Sequence, residues 1–209
     1  NRVVERTIET VTAAPAAIIQ APAPSNQDLV TAALGAAATR AVAIYALETG
    51  TSTPAIAVGT YLPKSRAVAT AAQDALPKEA LIEFPDGAHV SASLAHQGGA
   101  VAIYGFADKV SLPKVAGFLL ISASDLKLGQ TVLAIGADGS ASTGIVARVG
   151  EKGIHTTLPG IGAGSATVDL SGNLLGLGAG ATAGLLLTTD KITALLTATS
   201  SSATSTPAS

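Results

Sequence analysis

From residue 41 onward, short apolar runs alternate with turn residues at a spacing too close for helices. Runs rich in Val, Ile, Leu and Ala fall at 41–47, 55–61, 67–71, 80–84, 89–95 and 100–106. Further runs follow at 118–122, 131–137, 142–149, 153–158, 166–170, 173–179 and 183–188. Between them stand turn signals: PDG at 85–87, GG at 98–99, ADGS at 137–140 and LSGN at 170–173. Short β-branched runs bounded by Gly, Pro, Asp and Asn read as strands. Two stretches break the pattern. LVTAALGAAATR (29–40) consists of helix formers, with Asn26 or Asp28 available as the cap. DKITALLTA (190–198) puts Ile192, Leu195 and Leu196 on one helical face. A long series of short strands closed by one helix predicts an all-β barrel or sandwich, not an alternating α/β sheet. The polar stretch 107–117 divides the strands into two sets of about six.

The two ends have a different character. Residues 1–25, NRVVERTIETVTAAPAAIIQAPAPS, start with β-branched residues and continue as an Ala/Pro segment. Pro15, Pro22 and Pro24 exclude a continuous helix, so the segment reads as an extended arm. Val4, Ile8 and Val11 also lie at helical spacing, which leaves strand or helix open for residues 3–12. Residues 200–209, SSSATSTPAS, form a Ser/Thr-rich tail with almost nothing to bury.

Composition narrows the function classes. The chain has 209 residues, 48% of them hydrophobic but only 12% charged and 3% aromatic. It has the apolar content for a real core, and it lacks the charge of a solvated disordered chain. A net charge of −2 offers no basic surplus to neutralise phosphates, so nucleic-acid binding is not expected. No apolar run is long enough to span a membrane as a helix. The absence of Cys removes disulfides, thiolate metal sites and a Cys nucleophile. With low charge and abundant Ala, Ser, Thr and Gly, the chain resembles exported bacterial proteins. We therefore expect a secreted, cell-surface or periplasmic location, with any signal or anchor already removed.

Several features that look like chemistry have plainer readings. The Gly-rich stretches at 160–166 and 176–184 lack the Lys–Ser/Thr of a phosphate loop and the βαβ setting of a dinucleotide site. Turns and close strand approach account for their glycines. His89, His96 and His155 share no metal-ligand spacing with carboxylates, and neither metal nor other cofactor is expected.

The order of phrases in the second half carries a resemblance. DLKLGQTVLAIGADGSASTGIVARV (125–149) and IGAGSATVDLSGNLLGL (161–177) resemble second-barrel segments of the trypsin-like serine proteases, in particular the HtrA/Deg branch. AVATAAQDAL (67–76) resembles that family's TAAH strand end, and IEFPDGAHVSASLA followed by GGAVAIYGF resembles its first-barrel hairpins. The resemblance covers about residues 26–198. It implies two six-stranded antiparallel β-barrels with short terminal helices. The first helix and barrel fall in 26–106, the inter-barrel linker in 107–117, and the second barrel and helix in 118–199.

Carried over position by position, it also implies an inactive homologue. The general-base His position falls on Gln73, the orienting Asp position on Gly99 and the nucleophilic Ser position on Ala163. Acyl transfer needs a hydroxyl activated by an imidazole whose tautomer a carboxylate fixes. A Ser→Ala exchange would explain Ala163 alone, but not the other two blanks. Ser165, paired with His155, is the substitute nucleophile to consider. What is left for function is interaction. Val3, Val4, Ile8, Val11, Ile18 and Ile19 cannot form a core within the arm, so ordering it requires another surface. A neighbouring copy is the simplest such surface, and head-to-tail exchange of arms builds a filament or lattice. The expected role is a structural subunit forming a homo-oligomer or polymer. The alternative is a pseudoprotease that binds a peptide or protein partner through its vestigial cleft.

Overall fold

A computed structural model describes residues 23–72, 76–180 and 182–202, with side chains through 198. Helix α1, Asn26–Ala38, is capped by Ser25, not by Asn26 or Asp28. Asp28 is instead the reciprocal partner in a capping box. The Ser25 Oγ donates to Asp28 Oδ2 at 2.6 Å, while the Asp28 amide donates back to Ser25 Oγ at 3.2 Å. These contacts hold the Asp28 carboxyl below the usual carboxylate range. Ala33 and Ala37 form the buried side of α1, which packs on the second barrel.

Twelve strands follow: β1 (Ala41–Ala46), β2 (Ala57–Leu62), β3 (Ala67–Ala71), β4 (Glu79–Glu83), β5 (His89–Gly98) and β6 (Val101–Gly105), then β7 (Thr131–Ile135), β8 (Ala141–Gly150), β9 (Gly153–Thr156), β10 (Ala166–Val168), β11 (Leu174–Gly178) and β12 (Leu185–Thr188). Helix α2, Thr189–Ser202, closes the body. The strands form two closed antiparallel barrels in the orders β1-β2-β3-β6-β5-β4 and β10-β11-β12-β9-β8-β7. The expected all-β fold of two six-stranded barrels with two short helices is what the chain adopts.

One predicted strand is absent. Residues 118–122 make a single parallel bridge, Leu120 to Leu174, supported by Ile121 N to Leu174 O at 2.9 Å and Leu174 N to Leu119 O at 2.9 Å. From Gly176 onward β12 pairs with β11. That leaves the linker only the end of the β11 edge, whatever its own strand propensity.

The barrels are filled differently. The first takes four of the chain's six aromatic side chains inward: Tyr61, Phe84, Tyr104 and Phe106, with the Tyr61 and Phe84 rings edge-on at 5.2 Å. The second closes on aliphatic residues alone, among them Val132, Val146, Ile154, Leu175 and Leu186. Between them lies a third core. Ala67, Ala69 and Ala71 of β3, with Val101 and Ile103 of β6, meet Leu133, Ile135, Val168, Leu177 and Leu187. Strand β3 therefore alternates Val68 into its own barrel with alanines towards the other, and both faces are buried. Alanine lets the two sheets approach closely at this seam, which gives the chain's high Ala content a structural use.

Arg40 links three elements at one end of the seam. Its guanidinium lies 4.2 Å from the centre of the Phe118 ring, just past the linker, and Nη1 donates to the Gly172 carbonyl at 3.1 Å in the β10–β11 turn. Arg40 is 3% exposed, and burial lowers its pKa. Arg66 clamps the start of the same linker by donating from Nη2 to the carbonyls of Ala107 and Val110, at 3.0 and 2.8 Å.

The barrels approach each other closely at Gly164. A methyl group there would lie 2.0 Å from the Val58 carbonyl oxygen and 2.7 Å from Thr70 Oγ1, and φ is +82°. Gly164→Ala combines left-handed backbone strain with a backbone clash, so it should destabilise by roughly 3 kcal/mol or more in urea unfolding. Gly35 in α1 has nothing within 4 Å, and Gly35→Ala should stabilise by about 1 kcal/mol. Burial pushes Tyr104, which donates to the Pro77 carbonyl at 2.8 Å, up to about 12. The neutral phenol is the form the fold favours. Its contribution should be complete below the unfolded value near 10 and lost as the pH rises through about 12, read as a late step in phenolate absorbance.

Candidate functional site

Two of the positions singled out by the resemblance, Gly99 and Ala163, are described, and both lie near the core between the barrels, against which Ala163 and Gly99's neighbour Ala100 pack. At the end of β3, the Ala72 amide donates to the Ala100 carbonyl at 2.8 Å. This brings the chain leading to Gln73 alongside the β5–β6 turn. Gln73 itself lies outside the described residues, as do Val3, Val4, Ile8, Val11, Ile18 and Ile19 of the arm.

Gly99 is the first residue of a two-residue turn, because Gly98 pairs directly with Val101. Its φ is +58°, and Ala100 has no positive φ, the pattern of a type II′ hairpin turn. This tight reversal wants glycine for backbone reasons, at the position that the resemblance aligns with an orienting Asp.

Ala163 sits in the loop before β10. The Ser165 amide donates to the Gly162 carbonyl at 3.1 Å, closing a tight turn around it. The loop lies flush against the end of β11. Gly164 N donates to Gly178 O at 2.8 Å, and Gly178 N donates to Ser165 O at 2.9 Å. A methyl on Gly178 would lie 2.3 Å from the Gly162 carbonyl oxygen, and one on Gly180 would lie 2.6 Å from Ala163 Cβ. Only glycines fit this interface.

The open space lies on the other side. A cleft of about 730 Å³ runs between the barrels, with Tyr45, Val58 and Glu83 on one wall and Asp138, Ser140 and Ser165 on the other. Its charged lining is acidic. Ser140 bonds Asp138 Oδ1 through its hydroxyl at 2.6 Å and its amide at 3.0 Å, which lowers the Asp138 pKa. A hydrogen bond to Glu83 raises the Tyr45 pKa, and His89 Nε2 stands 3.6 Å from Glu83 Oε1. Sequence reasoning missed this wall, since no motif marks it and only the docking of two separately folded sheets assembles it.

The substitute pair is not brought together. Ser165 is buried at 3% exposure in the loop before β10, while His155 belongs to β9, beyond β11 and β12 in the barrel order. His155 Nε2 is 2.9 Å from Arg148 Nη2. A guanidinium only donates, so this nitrogen is the acceptor and is already engaged. Among the described residues, no group of three or more His, Asp or Glu is placed to hold a metal ion, and no helix is long and apolar enough to cross a membrane.

No protein-family model matches the chain, and no curated protein matches it in sequence. The class rests on architecture: two closed six-stranded antiparallel barrels with a seam between them fit a trypsin-like double-barrel fold.

The turn at Gly99 gives a direct check. Gly99→Asp places a side chain at φ +58°, and should destabilise the protein by about 1–2 kcal/mol in denaturant unfolding.

Proposed function

We propose that this chain is a catalytically inactive trypsin-like domain of HtrA-like type, working by interaction in an extracellular or cell-surface assembly. The observation that carries the first half is the loop at Ala163. It presents a methyl group where acyl transfer needs a hydroxyl, and its β11 side is filled by Gly178 and Gly180. Gly99 offers no carboxylate to orient a base. The second half rests on the sequence of the N-terminal arm. Its apolar residues need a surface that the arm cannot supply, and a second copy of the chain supplies one in every solution of the protein.

A second reading is favoured by the inter-barrel cleft. Its acidic wall, Glu83 and Asp138, suits a basic peptide or protein segment held without cleavage. The two readings differ in particle size: a growing polymer or sheet in sedimentation speaks for the subunit, a monomer that binds peptide for the cleft.

Purified protein should leave casein intact, and Ala163→Ser alone should not create activity, because base and orienter remain absent. Cleavage that is abolished by Ser165→Ala would overturn the inactive reading. Removing residues 1–25 should leave a soluble body that no longer polymerises, whereas removing 200–209 should weaken assembly less. Normal assembly without the arm would transfer the proposal to the cleft.

A further inference from the structure

The inter-barrel cleft contains a polar group that the fold leaves unused. Ser165 is 3% exposed and lines this cleft, so the little surface it keeps opens there. Its amide and carbonyl are both engaged, with Gly162 O and Gly178 N. Its hydroxyl forms no hydrogen bond among the described residues. A polar group this deeply buried normally has a partner, and going without one costs stability. The charged groups around the cleft are acceptors. Asp138, in the β7–β8 turn, takes both Ser140 donors on Oδ1, which leaves Oδ2 without a donor from another residue among the described ones. The same bonds hold its carboxyl below the usual carboxylate range, so it is charged at neutral pH. Glu83, at the end of β4, has His89 Nε2 at 3.6 Å, beyond hydrogen-bond reach. Among the described residues, no Lys, Arg or His lines the cleft to offset either carboxylate.

We infer that the cleft receives one lysine or arginine side chain of a bound peptide, with its cation between Glu83 and Asp138 and an N–H donated to Ser165 Oγ. The inference rests on the reading that the cleft holds a basic segment, and adds which group enters and which three acceptors select it. Three observations select this occupant. The uncompensated carboxylates call for a cation. The unpartnered Ser165 hydroxyl calls for a hydrogen-bonding head, and ammonium and guanidinium groups carry several donors and no acceptor. Ala43, Ala55 and Val58 line the first-barrel wall, and the alkyl stem of Lys or Arg covers such apolar surface while its head stays on polar groups. A bare metal ion fits less well. It needs its ligands around one point, and no group of three or more His, Asp or Glu is so placed among the described residues.

The test is equilibrium dialysis of the full chain at neutral pH, which reads binding whether or not the protein assembles. The probes are capped pentapeptides of alanine and serine around one central residue: lysine, arginine, norleucine or citrulline. Norleucine and citrulline keep the stem and lose the charge. The lysine and arginine peptides should bind at least tenfold more tightly than these two. Asp138→Asn and Glu83→Gln should each weaken the lysine and arginine peptides roughly tenfold, and Ser165→Ala roughly threefold, with unchanged circular dichroism. Glu151→Gln removes the same charge in the exposed β8–β9 turn, outside the cleft, and should change nothing. An equal loss in Glu151→Gln means diffuse attraction to an acidic protein and overturns the inference. Equal binding of the norleucine peptide, blocked when Ala55→Trp fills the cleft, overturns the cation and leaves the peptide-binding reading intact. Pentylamine binding as tightly as the lysine peptide overturns the peptide as its source. Retention of none of the four peptides at millimolar concentration overturns both the inference and the reading beneath it.

Discussion

The two barrels meet where one residue has no side chain. The backbone at Gly164 comes so close to Val58 and Thr70 of the first barrel that a single methyl would collide with a carbonyl oxygen. The first-barrel side of the seam is lined by alanines, Ala67, Ala69 and Ala71 on β3, and the second-barrel side by Ala166 and Val168 together with larger aliphatics such as Leu133 and Leu177. Dispersion contacts are individually weak and act only at close range, so a seam of alanines holds only if the backbones approach tightly. Arg40, on Phe118 and Gly172, ties the linker and the β10–β11 turn to the same end.

The same constraint shapes the candidate site. The Gly162–Ser165 turn is fixed on one side by the first barrel through Gly164, and on the other by β11 through Gly178 and Gly180. A loop clamped on both sides has a defined shape whether or not it carries a nucleophile. Close contacts on both sides thus set the position of Ala163 within the double barrel. The hairpin at Gly99 is set by its backbone in the same way: a φ of +58° favours glycine.

Much of this fold was legible in the sequence because its signals are local. Period-two runs such as AVATA and AVAIYGF, broken by PDG and GG, mark strands and hairpins, and β3 and β6 form at those places. The failures are equally instructive. FLLIS has the composition of a strand, but the available edge of β11 admits one bridge at Leu174, a tertiary limit that no window of sequence contains. The helix cap went to Ser25 because reciprocal bonding with Asp28 satisfies two groups at once, where Asn26 or Asp28 acting alone would satisfy one. The motif resemblance singled out Gly99 and Ala163, which lie in the β5–β6 turn and in the loop before β10. The cleft wall of Tyr45, Glu83 and Asp138 was not, because it forms from strands and turns far apart in the chain.

The central claim is that a trypsin-like double barrel here carries no activated hydroxyl. Intact-protein mass spectrometry after prolonged incubation with a fluorophosphonate tests it most directly, since the reagent reports an activated serine without requiring a known substrate. The account predicts an unchanged mass, with Ser165 buried and without an imidazole partner among the described residues. A stoichiometric adduct on Ser165, lost in Ser165→Ala or on mutation of a histidine, would contradict it.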